Sequence, residues 1–340
     1  MPLNTLKNLK TSPLISFIIP TLNSASVLEF CLASIKKQSL NSYEILIVDG
    51  ASSDSTLKIA HKFNTRIIKN PLKTAESAKA LGLKNSHGLF VAFVDSDNIL
   101  PSKNWLSKML LPFNDPEIIG TEPIAFTYRK NAGFLERYSA LIGANDPFAF
   151  FNGNYDRFSQ ITQKWTSLNL KTQEYKNYLK VCLDDNRNIP TIGANGTIFR
   201  KNFLNNFIKG NYLFDIDILS SAPKPLYFAK VKIGIIHTFC ESSILKFIRK
   251  QNRRLTDYYT YKSLRRYQWS SSKRIFTFTF YSLLLIPSIF DSFKGFFRKP
   301  DLVWFFHPIA CYLTWWIYFI VTLKFKLKLL KPLNRYQWRQ

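Results

Sequence analysis

The sequence predicts a mixed α/β fold with a mostly parallel central sheet, extended at its C-terminus by a basic and apolar helical region. Three observations predict it. From Leu14 to Asp97, short apolar runs alternate with helical patterns, and this spacing makes a parallel sheet with crossover helices. Two of the runs end in carboxylates, one at Asp49 and one at Asp95 and Asp97. Past Lys246 the chain turns dense in Lys, Arg and aromatics, and then apolar.

The elements follow in order. LISFIIP (Leu14 to Pro20) is a short apolar strand. SASVLEFCLASIKKQ places Val27, Leu28, Cys31, Leu32 and Ile35 on one helical face. YEILIVDG (Tyr43 to Gly50) is a second strand, and SDSTLKIAHKF opens a helix with good capping residues. TRIIKN is a third strand, TAESAKALGLKNSHG a helix expected to stop at Gly88, and LFVAFVDSD a fourth strand. Beyond Asn104 the pattern weakens. IIGTEPIAFTY reads as a strand, residues 130–190 as an insertion over the sheet, and IPTIGANGTIFRKNFL as a return to strand.

Composition narrows the function. The chain has 340 residues and a net charge of +25, which suits an anionic partner such as a nucleotide, a nucleic acid or an acidic membrane face. Its four cysteines are scattered with no C-x-x-C pair, so neither a zinc site nor a disulfide framework is indicated. Met1 to Pro13 is polar, without an apolar core of signal-peptide length, and the enzyme-like part is expected to stay in the cytosol.

In an open parallel sheet, ligands bind beyond the carboxyl ends of the strands. Asp49, followed by Asp54, marks one such end, and Asp95-Ser96-Asp97 another. Carboxylates clustered in a basic protein point to a divalent cation, Mg²⁺ or Mn²⁺, that neutralises them and bridges to phosphate.

SFIIPTLNSASVLEFCLASIKKQ, EILIVDGASSDST and GLFVAFVDSD resemble the N-terminal half of inverting family 2 glycosyltransferases. That family has the GT-A, Rossmann-like nucleotide-diphospho-sugar transferase fold. The resemblance implies that Pro20, Thr21 and Asn23 line a nucleotide pocket and that Asp49 hydrogen-bonds the base. It places Asp95 and Ser96 at the ribose or metal side and makes Asp97 a metal ligand. AESAKALGL resembles the family's A-R-N-x-G helix, with Lys79 and Ala80 in place of Arg and Asn. IGANGTIFRKNFL and LFDIDIL resemble the acceptor-side segment, where Asp217 is the expected general base and Asp215 the alternate. KVKIGIIHTF sets His237 at a strand end, where a neutral imidazole can join the metal. KQNRRL resembles the Q-x-x-R-W signature with Leu255 in place of Trp, and Arg254 is expected to neutralise a leaving diphosphate.

The implied organisation has a tail (1–13) and a transferase domain (14–245) with a nucleotide-binding half (14–100) and an acceptor half (101–245). A basic interfacial segment (246–274), two apolar membrane segments (275–323) and a basic tail (324–340) follow. Leu302 to Leu323 is about 22 uncharged residues, enough to cross a bilayer core. Ile275 to Phe290 is about 16, with Pro287 inside it. With Lys and Arg on both flanks, the positive-inside rule predicts a helical hairpin whose two ends are cytoplasmic; the shortness of the first segment and its proline leave open the alternative that the segments lie in the interface. Tyr267, Trp269, Tyr336 and Trp338 are expected to form a headgroup belt. The function expected is metal-assisted inverting transfer from a nucleotide-diphosphate sugar to a lipid-linked or glycan acceptor at the membrane. An inactive transferase-like scaffold is the alternative. A basic nucleic-acid-binding protein is the lesser alternative, since it explains neither the acidic strand ends nor the apolar C-terminus, and no nucleic-acid partner is expected.

Overall fold

The computed structural model describes residues 12–208, 210–267 and 272–335. In chain order it contains β1 (Ile15–Thr21), α1 (Ala25–Lys36), β2 (Tyr43–Asp49), α2 (Thr56–Lys62), β3 (Arg66–Lys69), α3 (Ala75–Asn85), β4 (Phe90–Val94), β5 (Asn98–Ile99), α4 (Trp105–Leu110) and β6 (Ile118–Phe126). Then come α5 (Phe134–Ile142), α6 (Pro147–Asn152), β7 (Lys171–Glu174), β8 (Tyr178–Leu183), β9 (Asn195–Arg200), α7 (Lys201–Leu204), α8 (Asp215–Ser221) and β10 (Leu226–His237). The chain closes with α9 (Ile244–Thr260), α10 (Ser272–Leu284), α11 (Ile286–Arg298) and α12 (His307–Lys326). These elements form two compact units. One is built from the described residues up to Ile124 with Asn169–His237, the other from Ala125–Leu168 with Thr238–Asn334.

The first unit holds the sheet, in the order β3-β2-β1-β4-β9-β6-β10-β8-β7, with β5 beside β10. Pairing is parallel from β3 to β4 and antiparallel where β9, β8, β7 and β5 join. The parallel half follows from the sequence: β1 and β4 are apolar and buried on both faces, as strands covered by helices on each side must be. α1 covers the sheet with Leu28, Cys31, Leu32 and Ile35. α3 is opened by Thr74, whose hydroxyl accepts from the Ser77 N–H at 3.1 Å. It ends at Asn85, before Gly88. Gly88 serves a close approach instead: a Cβ there would come within 2.6 Å of the Ser16 nitrogen on β1.

The second unit is helical. One apolar cluster gathers Leu135, Tyr138, Phe247, Trp304 and Phe306, and another gathers Phe148, Leu255, Phe278, Tyr318 and Val321. α5 is stopped by Gly143, whose left-handed φ of +71° suits a residue without Cβ. The segment Ile275 to Phe290 is not one continuous helix. α10 and α11 meet at 78°, around Leu285 with φ 57°, because Pro287 in the first turn of α11 offers no N–H to the turn before it. The stretch Leu302–Lys326 is long and apolar enough to cross a membrane, yet 44% of its apolar window is buried within the structure. Tyr267 is also buried, its hydroxyl accepting from Asn154 Nδ2 at 3.2 Å, so it is not free to sit in a headgroup belt. Trp269, Tyr336 and Trp338 lie outside the described residues.

Candidate active site

The carboxyl ends of β1 and β2 are laced into one surface. Parallel register sets Thr21 beside Asp49. Asp49 Oδ1 accepts from the Thr21 hydroxyl at 2.8 Å and the Ser52 hydroxyl at 2.6 Å, and Oδ2 accepts from the Ser52 N–H at 2.8 Å. Asn23, just past Pro20, adopts a left-handed φ of 49°. Its side-chain oxygen accepts from the Ser53 N–H at 2.8 Å, and Asn is among the few side chains that tolerate that conformation. Asp54 joins the two loops by accepting from the Ala25 and Thr56 N–H groups at 3.0 and 2.9 Å. Burial opposes its charge, but bonds from Thr56 and Ala25 outweigh burial and hold its pKa below the usual value.

The Asp95-Ser96-Asp97 turn leaves the end of β4. The Asn98 N–H donates to the Asp95 carbonyl at 2.9 Å, and the Asp95 N–H donates back to Asn98 Oδ1 at 3.1 Å. Ser96 is buried and donates to the Ser24 hydroxyl at 3.1 Å, tying the turn to the start of α1. β5 pairs with β10 so that Asn98 faces His237. This brings together residues 140 positions apart: His237 Nε2 lies 3.3 Å from Asp97 Oδ1, with both side chains buried. Among the described residues no three His, Cys, Asp or Glu side chains converge on one point. The chain therefore offers a carboxylate–imidazole pair, a donor set that suits Mg²⁺ or Mn²⁺ when ligand oxygens complete the shell. Cys31 lies beneath the turn, but burial, then the Asp97 and Asp95 charges, push its thiol well above the ordinary value. It stays a neutral thiol and not a ligand.

A second acidic centre joins α3 to α8. Lys79 Nζ is 2.5 Å from Asp215 Oδ2, and both side chains are largely buried. Asp215 Oδ1 is buried and has no hydrogen-bond partner among the described residues. Burial raises the Asp215 pKa. Lys79 pulls against that, but Glu76 and Asp95 add to burial, and the net direction is upward from 3.8. Lys79 is held above its own ordinary value, because Asp215 and Glu76 outweigh the burial that disfavours its charge. Both partners thus move up. For Asp215 burial and the nearby acids dominate; for Lys79 the acids do. Asp95 is close enough to act on both groups. Asp217, in the first turn of α8, is buried, and its backbone carbonyl accepts from the Ser220 hydroxyl at 3.2 Å.

Arg254 belongs to the second unit. Gln251 and Arg254, three apart on α9, share a face. Arg254 Nη1 donates to Gln251 Oε1 at 2.7 Å and lies 3.2 Å from Asp146 Oδ2. Tyr318 donates to the same Asp146 oxygen at 2.8 Å. This is a polar lock inside the helical unit. Asn98 and Glu76 escaped the sequence reading, although Asn98 directly follows Asp97 and Glu76 stands one helical turn before Lys79 on α3.

Residues 16–170 match the family described as Glycosyl transferase family 2. The glycosyltransferase AglE of Haloferax volcanii is 30% identical over 140 residues, which are 38% of this chain and 45% of that protein. A PGL/p-HBAD biosynthesis glycosyltransferase of Mycobacterium tuberculosis is 35% identical over 104 residues, 29% of this chain and 41% of that protein. WfgD of Escherichia coli, a UDP-Glc:alpha-D-GlcNAc-diphosphoundecaprenol beta-1,3-glucosyltransferase, is 33% identical over 101 residues, 28% of this chain and 38% of that protein. The chain thus spans less than half the length of each of these curated relatives. Among solved structures, the mannosyltransferase PcManGT from Pyrobaculum calidifontis, in complex with GDP-Man and Mn²⁺, aligns over 97% of this chain and 84% of its own at 13% identity, with a TM-score of 0.49. Staphylococcus aureus TarS 1-349 aligns over 92% and 91% at 15% identity, with a TM-score of 0.45. The matched segment, residues 16–170, holds the acidic ends of β2 and β4, and it is this part of the chain that is similar to glycosyl transferase family 2.

Proposed function

We propose that the protein is an inverting glycosyltransferase that moves a sugar from a nucleotide-diphosphate donor to a lipid-linked or glycan acceptor at the cytoplasmic face of the membrane. One observation carries the reading. The acidic end of β4 and a buried Lys79–Asp215 pair, 2.5 Å apart, lie near enough for the Asp95 charge to act on both partners. Thr21, Asn23 and Asp49 offer hydrogen-bonding groups suited to a nucleobase, and the Asp95-Ser96 turn to the ribose. Asp97 and His237 would hold Mg²⁺ or Mn²⁺, which when bound offsets the charge of the diphosphate. The diphosphoundecaprenol acceptor in the name of WfgD supports a lipid-linked acceptor here.

In the transfer, an acceptor hydroxyl oxygen bonds to the anomeric carbon from the face opposite the diphosphate. The bond from that carbon to the diphosphate oxygen breaks, and the electron pair leaves with the diphosphate. One carboxylate takes the hydroxyl proton. Asp215 is favoured over Asp217 for that role, because its Oδ1 is left without a partner among the described residues and its pKa is raised toward the working range of a general base. Lys79 is a positioning residue that holds Oδ2 and so aims Oδ1.

The test compares Asp215→Asn with Asp217→Asn, using donors identified by the thermal shift that UDP, GDP and their sugars give with Mn²⁺. The expected result is that Asp215→Asn binds donor normally and loses turnover by about 10²–10⁴-fold, while Asp217→Asn remains active. The reverse pattern assigns the proton to Asp217. Absence of any nucleotide binding by the wild-type chain would favour the inactive scaffold.

A further inference from the structure

The second unit turns an apolar face outward. Phe276, Phe290, Phe297 and Leu302 are 63%, 70%, 79% and 77% exposed. Isolated apolar side chains on a surface are ordinary, but α10, α11 and α12 together expose many large ones, Phe276, Phe280, Phe290, Phe293 and Phe319 among them, and that density marks an interaction site. Exposed basic residues stand at the helix ends: Lys273 and Arg274 open α10, Lys294 lies on α11, and Lys324, Lys326 and Lys328 close α12. An apolar face with basic ends is complementary to a lipid leaflet carrying anionic headgroups.

Which way the helices meet that leaflet follows from the contacts of the link between α11 and α12. In a membrane hairpin this link would lie on the far side. Here Asp301 is buried, and its Oδ2 accepts from the Tyr128 hydroxyl at 2.8 Å. Both Asp301 oxygens accept from Arg137 Nη1 at 3.1 Å. Lys299 Nζ sits 3.9 Å above the Tyr128 ring. Arg298 donates to the Gln160 carbonyl at 3.2 Å and also to the Ile161 carbonyl. All these partners come from 125–168. That segment leaves the sheet-forming chain at β6 and rejoins it before β7. Among the described residues, the stretches long and apolar enough to cross a membrane fall within 273–298 and 302–326. The link is therefore held to segment 125–168 of its own unit, and no such stretch interrupts the chain before or after that segment up to α10.

The ends of α12 are held in the same way. At its start, His307 Nδ1 shares a 2.7 Å hydrogen bond with the Tyr138 hydroxyl of α5. Near its end, the Thr322 hydroxyl bonds to the Tyr259 hydroxyl of α9 at 3.0 Å, and Phe325 stacks on the Tyr259 ring with centroids 4.2 Å apart. α5 and α9 join the sheet-forming chain without an intervening crossing stretch. We infer that this unit is monotopic: α10, the bent α11 and the outer face of α12 enter one leaflet, and no helix crosses to the other side. The inference stands on contacts of the helical unit and is independent of the catalytic reading.

The test uses the full chain with a single added cysteine at Pro300 or at Lys331, both exposed. Cys31, Cys240 and Cys311 are buried, whereas Cys182 on β8 is partly exposed and reports the side on which the sheet lies. Membrane vesicles prepared from expressing cells are treated with an impermeant maleimide, sealed and then opened, and labelling is read by peptide mass. Positions 182, 300 and 331 are expected to label together, from one side. Labelling of 300 from the side opposite 182 restores the hairpin, and labelling of 331 alone from that side makes α12 a span; either overturns the inference. In a second measurement, purified protein is sedimented with phosphatidylcholine vesicles with and without phosphatidylglycerol. The wild type should pellet with the anionic vesicles. Phe290→Glu combined with Phe297→Glu should lower the bound fraction by about tenfold with an unchanged thermal melt. Wild-type protein that stays in solution with both vesicles, or a double variant that binds as well as wild type, overturns it.

Discussion

At the scale of single residues, the site is built from pairs that lie far apart in the chain. Lys79 and Asp215 are 136 positions apart. Each was legible as a candidate, because an acid after a Gly-rich strand and a cation in the third helix stand where such chemistry is expected. That they hold each other was not legible, since nothing local in either segment points to the other. The buried Lys230–Glu122 pair, at 2.5 Å, was missed altogether: both charges sit in runs that read simply as strand. The Lys79–Asp215 contact makes a pH prediction. A base works ionised, so activity is present above the folded pKa of Asp215 and lost as pH falls through it. Because that pKa is raised, the acid limb of the kcat/KM profile should lie above the ordinary carboxylate range. Lys79→Met removes the group that pulls the pKa down, and should move the limb to higher pH by about 1–3 units. An acid limb unmoved in Lys79→Met would take the base role away from Asp215.

At the scale of elements, the alternating first third was readable because each strand is a short apolar run and each helix carries one apolar face. Its boundaries were less so. Gly88 reads in the sequence as a helix stop, whereas α3 ends three residues earlier at Asn85. The glycine is needed where the chain passes over β1, and the Gly88 N–H donates to the Ser16 hydroxyl at 2.8 Å. Gly88→Ala would drive a methyl group against the β1 backbone, which cannot swing aside as a side chain can. The expected loss is about 1–3 kcal/mol, the usual scale of overpacking, visible as a lower urea midpoint with an unchanged slope. The same substitution at Gly210, where no atom lies within 4 Å of the added Cβ, meets no such clash, although its left-handed φ adds strain of its own. The break between α10 and α11 was half legible: Pro287 marks it, but its angle depends on packing that one dimension does not record.

At the scale of the molecule, the chain builds its helical unit in two excursions, from Ala125 to Leu168 and again from Thr238. The sequence reads 130–190 as an insertion over the sheet, but β7 and β8 within that range are strands of the sheet, and the part before them packs with the C-terminal helices. The aromatic and Asn-rich composition of 134–168 gives no hint of this, because its partners lie more than a hundred residues downstream. The 78° bend between α10 and α11 has a further consequence. A wedge that fills one leaflet and spares the other makes the two unequal in area, and a flat bilayer must stretch to admit it. A strongly curved bilayer already has the looser outer packing that the wedge needs. At equal lipid area, small vesicles should therefore bind the protein more tightly than large ones of the same composition. A flotation assay across a series of extrusion sizes reads this directly, and affinity independent of vesicle radius would mean that the bend displaces no lipid.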